Sequence, residues 1–98
     1  MLIRGETESD FPAHQYNLDN ILDCLNTLTP REREILGQVL SGRLNKRIAS
    51  ELGISIRTVK AHRARVMQKM EADSLAELVT MIVILRLNGD RMMTNANR

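Results

Sequence analysis

The chain has 98 residues, only two aromatic side chains (Phe11 and Tyr16) and a formal net charge of +2. That length fits one domain and leaves little interior for a deep catalytic cleft, and the core must be aliphatic. The charge is small only in sum: residues 1–28 hold one base against five acids, and residues 29–73 hold ten bases against five acids.

Residues 1–16, polar and patternless, with Gly5 and Pro12, read as a flexible acidic lead-in. From Asn17 the pattern changes: Leu18, Ile21, Leu22, Leu25 and Leu28 recur at helical spacing and predict a short linker helix over 17–28. Thr29-Pro30-Arg31-Glu32 is a helix start, with Thr29 as cap, Pro30 at the first helical position and Glu32 reaching back to close a capping box. Ile35, Leu36, Val39 and Leu40 line one face of that helix until Ser41-Gly42 stops it.

A further helix is predicted from about Lys46 to Leu52, followed by Gly53. Ser55 caps the next, which reaches about Met70. Ser74 and Glu77 form a second capping box, opening a helix that runs to about Leu87. Asn88-Gly89-Asp90 is read as its end, and 89–98 as a flexible tail. The expected architecture is all-α, with a domain over 29–88 preceded by the linker helix.

Residues 45–64 carry the spacing of a helix-turn-helix. A short helix must cross a longer one steeply through a brief turn. The close crossing needs a small residue, supplied by Ala49, and the turn needs a residue free to take positive φ, supplied by Gly53. Val59 then locks the pair, with Ile48, Leu52 and Ile54 filling in around it.

The outward face carries the chemistry. From Ser55 to Met70 there are five bases and no acid, a block that attracts phosphate. On a helical wheel Val59, Val66 and Met70 turn inward, flanked by Ile56 and His62, while Arg57, Lys60, Ala61, Ala64, Arg65 and Gln68 turn outward. Small side chains at Ala61 and Ala64 let a backbone sink into the major groove, where Lys and Arg reach guanine edges or phosphates. The competing reading of such a face is a solvated surface that binds nothing.

Leu28-Thr29-Pro30-Arg31-Glu32-Arg33-Glu34-Ile35-Leu36, Asn45-Lys46, Ile48-Ala49, Leu52-Gly53-Ile54-Ser55 and Arg57-Thr58-Val59-Lys60 with His62 together resemble the LuxR-type DNA-binding domain. Val66-Met67-Gln68-Lys69-Met70 and Asp73-Ser74-Leu75-Ala76-Glu77-Leu78-Val79 are similar to the FixJ branch of response regulators. The resemblance covers about residues 28–86. It implies a four-helix fold, sequence-specific binding of double-stranded DNA as the output domain of a bacterial transcription regulator, and a two-component system in which a phosphorylated receiver precedes the module. It also implies that Thr58, Lys60 and Arg63 lie near DNA together with Asn45 and Lys46. By the wheel Arg63 is nearer the core edge than Lys60, which assigns it a phosphate and not a base.

One departure stands out. The family commonly opens the first helix of the motif with Ser-Asn-Lys-Glu, a capping box, whereas this chain has Leu44-Asn45-Lys46-Arg47. Asn45 is then the candidate cap, and Arg47 adds a positive charge to the DNA-facing set where the acid usually sits.

Two other classes compete. The promoter-reading region of a sigma factor shares the Arg-Thr-Val-Lys style of recognition helix but normally ends after it, whereas here Ser74 to Leu87 makes a further helix. A helical protein-interaction module could keep the fold without binding DNA, and salt-sensitive duplex binding separates that reading from the main one. An enzyme is not expected, because no acid–base or nucleophile–base set can be assembled. No metal or cofactor is expected either: His62 has no partner at ligand spacing, His14 lies in the lead-in, and Cys24 is isolated.

A lone cysteine also excludes an internal disulfide framework and suits a reducing, cytoplasmic setting. No apolar run reaches membrane-spanning length, and the acidic start does not suit a signal peptide. RNA polymerase is an expected further partner of such a regulator.

In the last helix Leu75, Leu78, Val79 and Ile82 suffice to pack on the core, which leaves Met81, Ile84 and Leu87 to be covered by something else. Either the 17–28 helix folds back over them, or the same helix of a second copy does, in a weak homodimer strengthened by a palindromic site.

Overall fold

The computed structural model describes residues 17–96, with side chains through Gly89. The expected lead-in over 1–16 lies outside the described residues. Five helices and no strand make up the described chain: α1 (Leu18–Asn26), α2 (Pro30–Leu40), α3 (Asn45–Leu52), α4 (Ile56–Lys69) and α5 (Leu75–Ala96).

Each start has a local cause. Asn17 Oδ1 accepts from the Asp19 amide at 2.8 Å and opens α1. Thr29 and Glu32 form the capping box of α2 in both directions: the Glu32 amide donates to Thr29 Oγ1 at 3.1 Å, and the Thr29 amide donates to Glu32 Oε1 at 2.9 Å. Ser55 caps α4 through the Thr58 amide at 3.0 Å. At α5, Ser74 Oγ accepts from the Glu77 amide at 3.1 Å, while the Glu77 carboxylate reaches past Ser74 to the Asp73 amide at 2.8 Å. That start is therefore capped from both sides, with the return bond one residue earlier than a standard box.

The core is aliphatic. Ile21, Ile35, Ile48, Val59, Met70 and Leu78 are all fully buried. Both α2 and α3 pack on α4, and α1 packs on α5. The only buried charge among the described residues is Glu32, and its partner comes from the far end of α4: Lys69 Nζ lies 2.8 Å from Glu32 Oε1 and 3.2 Å from the Thr27 carbonyl oxygen. One lysine thus ties the α1–α2 junction to the C-terminus of α4. The Lys69 hydrogen bond, and then the Thr29 amide, hold the Glu32 carboxyl below its ordinary value of 4.5.

Three expectations about the last helix are corrected. Asn88-Gly89-Asp90 does not end it, and α5 runs on to Ala96 through what was read as a flexible tail. Asn88 Nδ2 donates to the Ile84 carbonyl one turn back at 2.8 Å, and Gly89 stays helical, so neither residue breaks the ladder. Met81 is not an interface residue: it is 2% exposed and sits in the core with Leu78, three residues away on the same side. α1 packs on α5, and Leu75 and Val79, expected to pack on the core, are exposed instead. Ile84 is half-buried against the same core, whereas Leu87 is open to solvent.

Candidate nucleic-acid interface

The α3–α4 pair is built on three residues. Ala49 on α3 is buried, Val59 on α4 is fully buried, and Gly53 between the helices has φ +69° and ψ 34°. A β-carbon on Gly53 would meet no heavy atom within 4 Å, so the turn has room for a side chain and asks for glycine through its backbone conformation alone. The Ile54 amide closes the turn onto the Ala49 carbonyl at 3.0 Å.

With its apolar side against the core, α4 turns Arg57, Lys60, Ala61, Ala64, Arg65 and Gln68 to solvent. Arg57, Lys60 and Arg65, together with Lys46 on α3, have no hydrogen bond or ion pair among the described residues. Their charges are uncompensated on that face, since no acid lies between Ser55 and Met70. The fifth base of the block, Lys69, is spent on Glu32 and belongs to the fold. Ile56, read from sequence as flanking the core, is 42% exposed at the start of α4.

The remaining candidates are engaged within the protein. Thr58 is half-buried, and its Oγ1 accepts from Ser55 Oγ at 2.9 Å. Asn45 is not the cap of α3: that position is Leu44, which makes no side-chain capping bond and is 77% exposed. Asn45 is the first helical residue, and its Oδ1 accepts from Arg63 Nη1 at 2.9 Å. Arg47 Nε sits 2.8 Å from Glu51 Oε2, with Arg43 Nε 3.8 Å from the same oxygen. The Arg47 hydrogen bond is the first cause that lowers the Glu51 carboxyl below its ordinary 4.5.

Sequence spacing carried no signal for the Arg63–Asn45 and Lys69–Glu32 contacts, whose partners stand 18 and 37 residues apart. His62 is half-buried with Nδ1 enclosed and unpartnered, and no group of three or more His, Cys, Asp or Glu among the described residues could hold a metal. Burial is the first cause that raises the Cys24 thiol above its ordinary 9.0, with the Glu71 and Asp23 charges adding to it. No described helix is long and apolar enough to cross a membrane.

Residues 26–82 match the family model described as bacterial regulatory proteins, luxR family. The chain belongs to the luxR family. Family members are DNA-binding transcription regulators, not a class of enzyme, and the match runs well into α5, beyond the recognition helix at which the sigma-factor alternative stops.

Relatives include the tetrathionate response regulatory protein TtrR of Salmonella typhimurium, 52% identical over 60% of this chain and 29% of its own length. The transcriptional regulatory protein FixJ of Rhizobium meliloti is 56% identical over 82% of this chain and 36% of its own. A crystal structure of full-length FixJ from B. japonicum superimposes with a TM-score of 0.66 at 35% identity, covering 83% of this chain and 40% of that one. This chain therefore spans about a third of the length of the curated relatives it matches. The luxR-family domain, built on α2 to α5 with α1 before it, is of the response-regulator type.

Proposed function

We propose that this luxR-family domain reads double-stranded DNA sequence-specifically, as the cytoplasmic output domain of a two-component transcription regulator, with α4 lying in the major groove. The observation that carries this reading is the outward face of α4. It presents Arg57, Lys60 and Arg65, all exposed and unpaired among the described residues, around the small side chains of Ala61 and Ala64. Such a surface lets a helix backbone approach base edges while long cationic side chains reach guanines and phosphates. Lys60, one turn into α4, is the candidate base reader, and Lys46 a phosphate ligand. Pairing of Arg47 with Glu51 argues for a weaker part in DNA contact than its charge suggests.

A site selected from a random duplex library supplies the test. Lys60→Ala should weaken binding to the selected duplex by about 1–3 kcal/mol and relax preference at one base pair. Equal affinity of parent and variant for that duplex would overturn the placement of α4.

We place the weak homodimer contact on an exposed face of α5 that keeps only Leu87 of the three residues expected for it. Leu75, Val79, Val83 and Leu87 are all exposed, at 47, 40, 47 and 63%, and share one side of α5 with the small residues Ala76 and Thr80. The Val79–Val83 part of that face borders a groove shared with Leu40, the last residue of α2, and Ser41, its C-cap. A second copy laid two-fold symmetrically on this face would place two recognition helices on one side of the duplex, about 34 Å apart.

A further inference from the structure

The two ends of the Asn45–Arg63 hydrogen bond come from different helices. Asn45 begins α3, and Arg63 lies in the middle of α4. A guanidinium has donors only, so the Asn45 amide must turn its oxygen toward Arg63 and its Nδ2, with two donors, away from it. Nδ2 has no partner among the described residues and is not among their buried unpartnered atoms, so it is open to solvent. Among the described residues no side chain caps this helix start, because Leu44 makes no capping bond and Arg47 is drawn to Glu51.

We infer that Arg63 is a positioning residue for DNA binding and not itself a phosphate ligand: it holds the Asn45 amide so that Nδ2 donates to the DNA backbone. This rests on the DNA reading of the α3–α4 unit. The bond that would ordinarily be made by a capping side chain at the start of α3 is replaced by one reaching across from α4. A neutral amide is thereby kept in one rotamer, and the cost of ordering it is met before DNA arrives.

A double-mutant cycle over salt concentration tests the inference, using a fluorescent mixed-sequence duplex of about three helical turns. Each variant is measured well below its own melting temperature. Asn45→Ala and Arg63→Gln should each weaken binding by roughly five- to tenfold, and the double variant by no more than the worse single. The slope of log K against log salt should stay that of the parent in all three, because no phosphate-neutralising charge is lost. Arg63→Lys, whose ammonium can still donate to Asn45 Oδ1, should recover most of the affinity. If Arg63→Gln does not fold, Arg63→Met, which keeps the aliphatic stem and removes the donor, takes its place in the cycle.

Losses that multiply, or a slope reduced by about 0.9 in Arg63→Gln, would overturn the inference in favour of a direct phosphate contact. Lower melting temperatures with unchanged affinity would overturn it in favour of a purely structural bond. A parent chain that fails to bind the duplex at all would overturn the DNA reading itself, a result distinct from the other two.

Discussion

Gly53 shows how one residue fixes the geometry of the α3–α4 pair. Its φ of +69° turns the chain between the two helices, and the space around it is empty. A side chain there costs backbone strain and no clash, about 1–2 kcal/mol for an ordinary residue, less for Asn and more for a β-branched one. Thermal melts should therefore rank the parent above Gly53→Asn and Gly53→Asn well above Gly53→Val, and equal melting temperatures for the two variants would contradict this. Gly53 was legible in the sequence because the left-handed region is a local requirement, as were the Thr29–Glu32 box and the Ser55 cap. Glu71 was not: it follows α4 with φ +58°, a conformation that a glutamate does not advertise in sequence.

At the scale of elements, local signals misled where the deciding partner lay elsewhere in the fold. Asn88 and Gly89 have the residue types of a helix end, yet Asn88 bonds back to Ile84 and the ladder continues. A wheel drawn for one helix leaves Met81 open to two covers, a folded-back 17–28 helix or a second copy, and the packing of α1 on α5 with Met81 buried fits the first of them. Lys69 looked like one more base in a cationic block until Glu32, 37 residues away, claimed it.

That last contact makes the α1–α2–α4 junction acid-sensitive. A carboxyl whose folded pKa is depressed gives stability that is complete above its ordinary value and is lost as pH falls through the lowered one. In Lys69→Met the Glu32 pKa should return upward. The melting temperature should then be lower than the parent's at pH 7 and less steeply dependent on pH between about 5 and 3. Parallel curves for the two proteins would show that Glu32 does not use Lys69.

Across the described residues, the largest group of exposed aliphatic side chains lies away from the basic face, although Leu44 and Ile56 are exposed on the α3–α4 unit itself. Bases cluster on the outward face of α4, while the exposed aliphatic side chains of α5 form a separate strip. Such a division suits a protein that meets DNA on one side and its own copy on another. Val83→Asp should leave the melting temperature within a few degrees of the parent's and abolish cooperative binding to a duplex carrying two half-sites in inverted repeat. Cooperativity that survives the substitution would place the contact elsewhere. Ile84 is a poorer probe, because it packs against the core.

The central claim, that the acid-free face of α4 binds duplex DNA, is tested most directly by the salt dependence of binding. Association of the parent chain with a mixed-sequence duplex, followed by fluorescence anisotropy from about 50 to 200 mM salt, should weaken steeply. Replacing Arg57, Lys60 and Arg65 together by Gln should reduce the slope of log K against log salt by about two to three. A parent that does not bind, or a triple variant with the parent's affinity and slope, would contradict the claim.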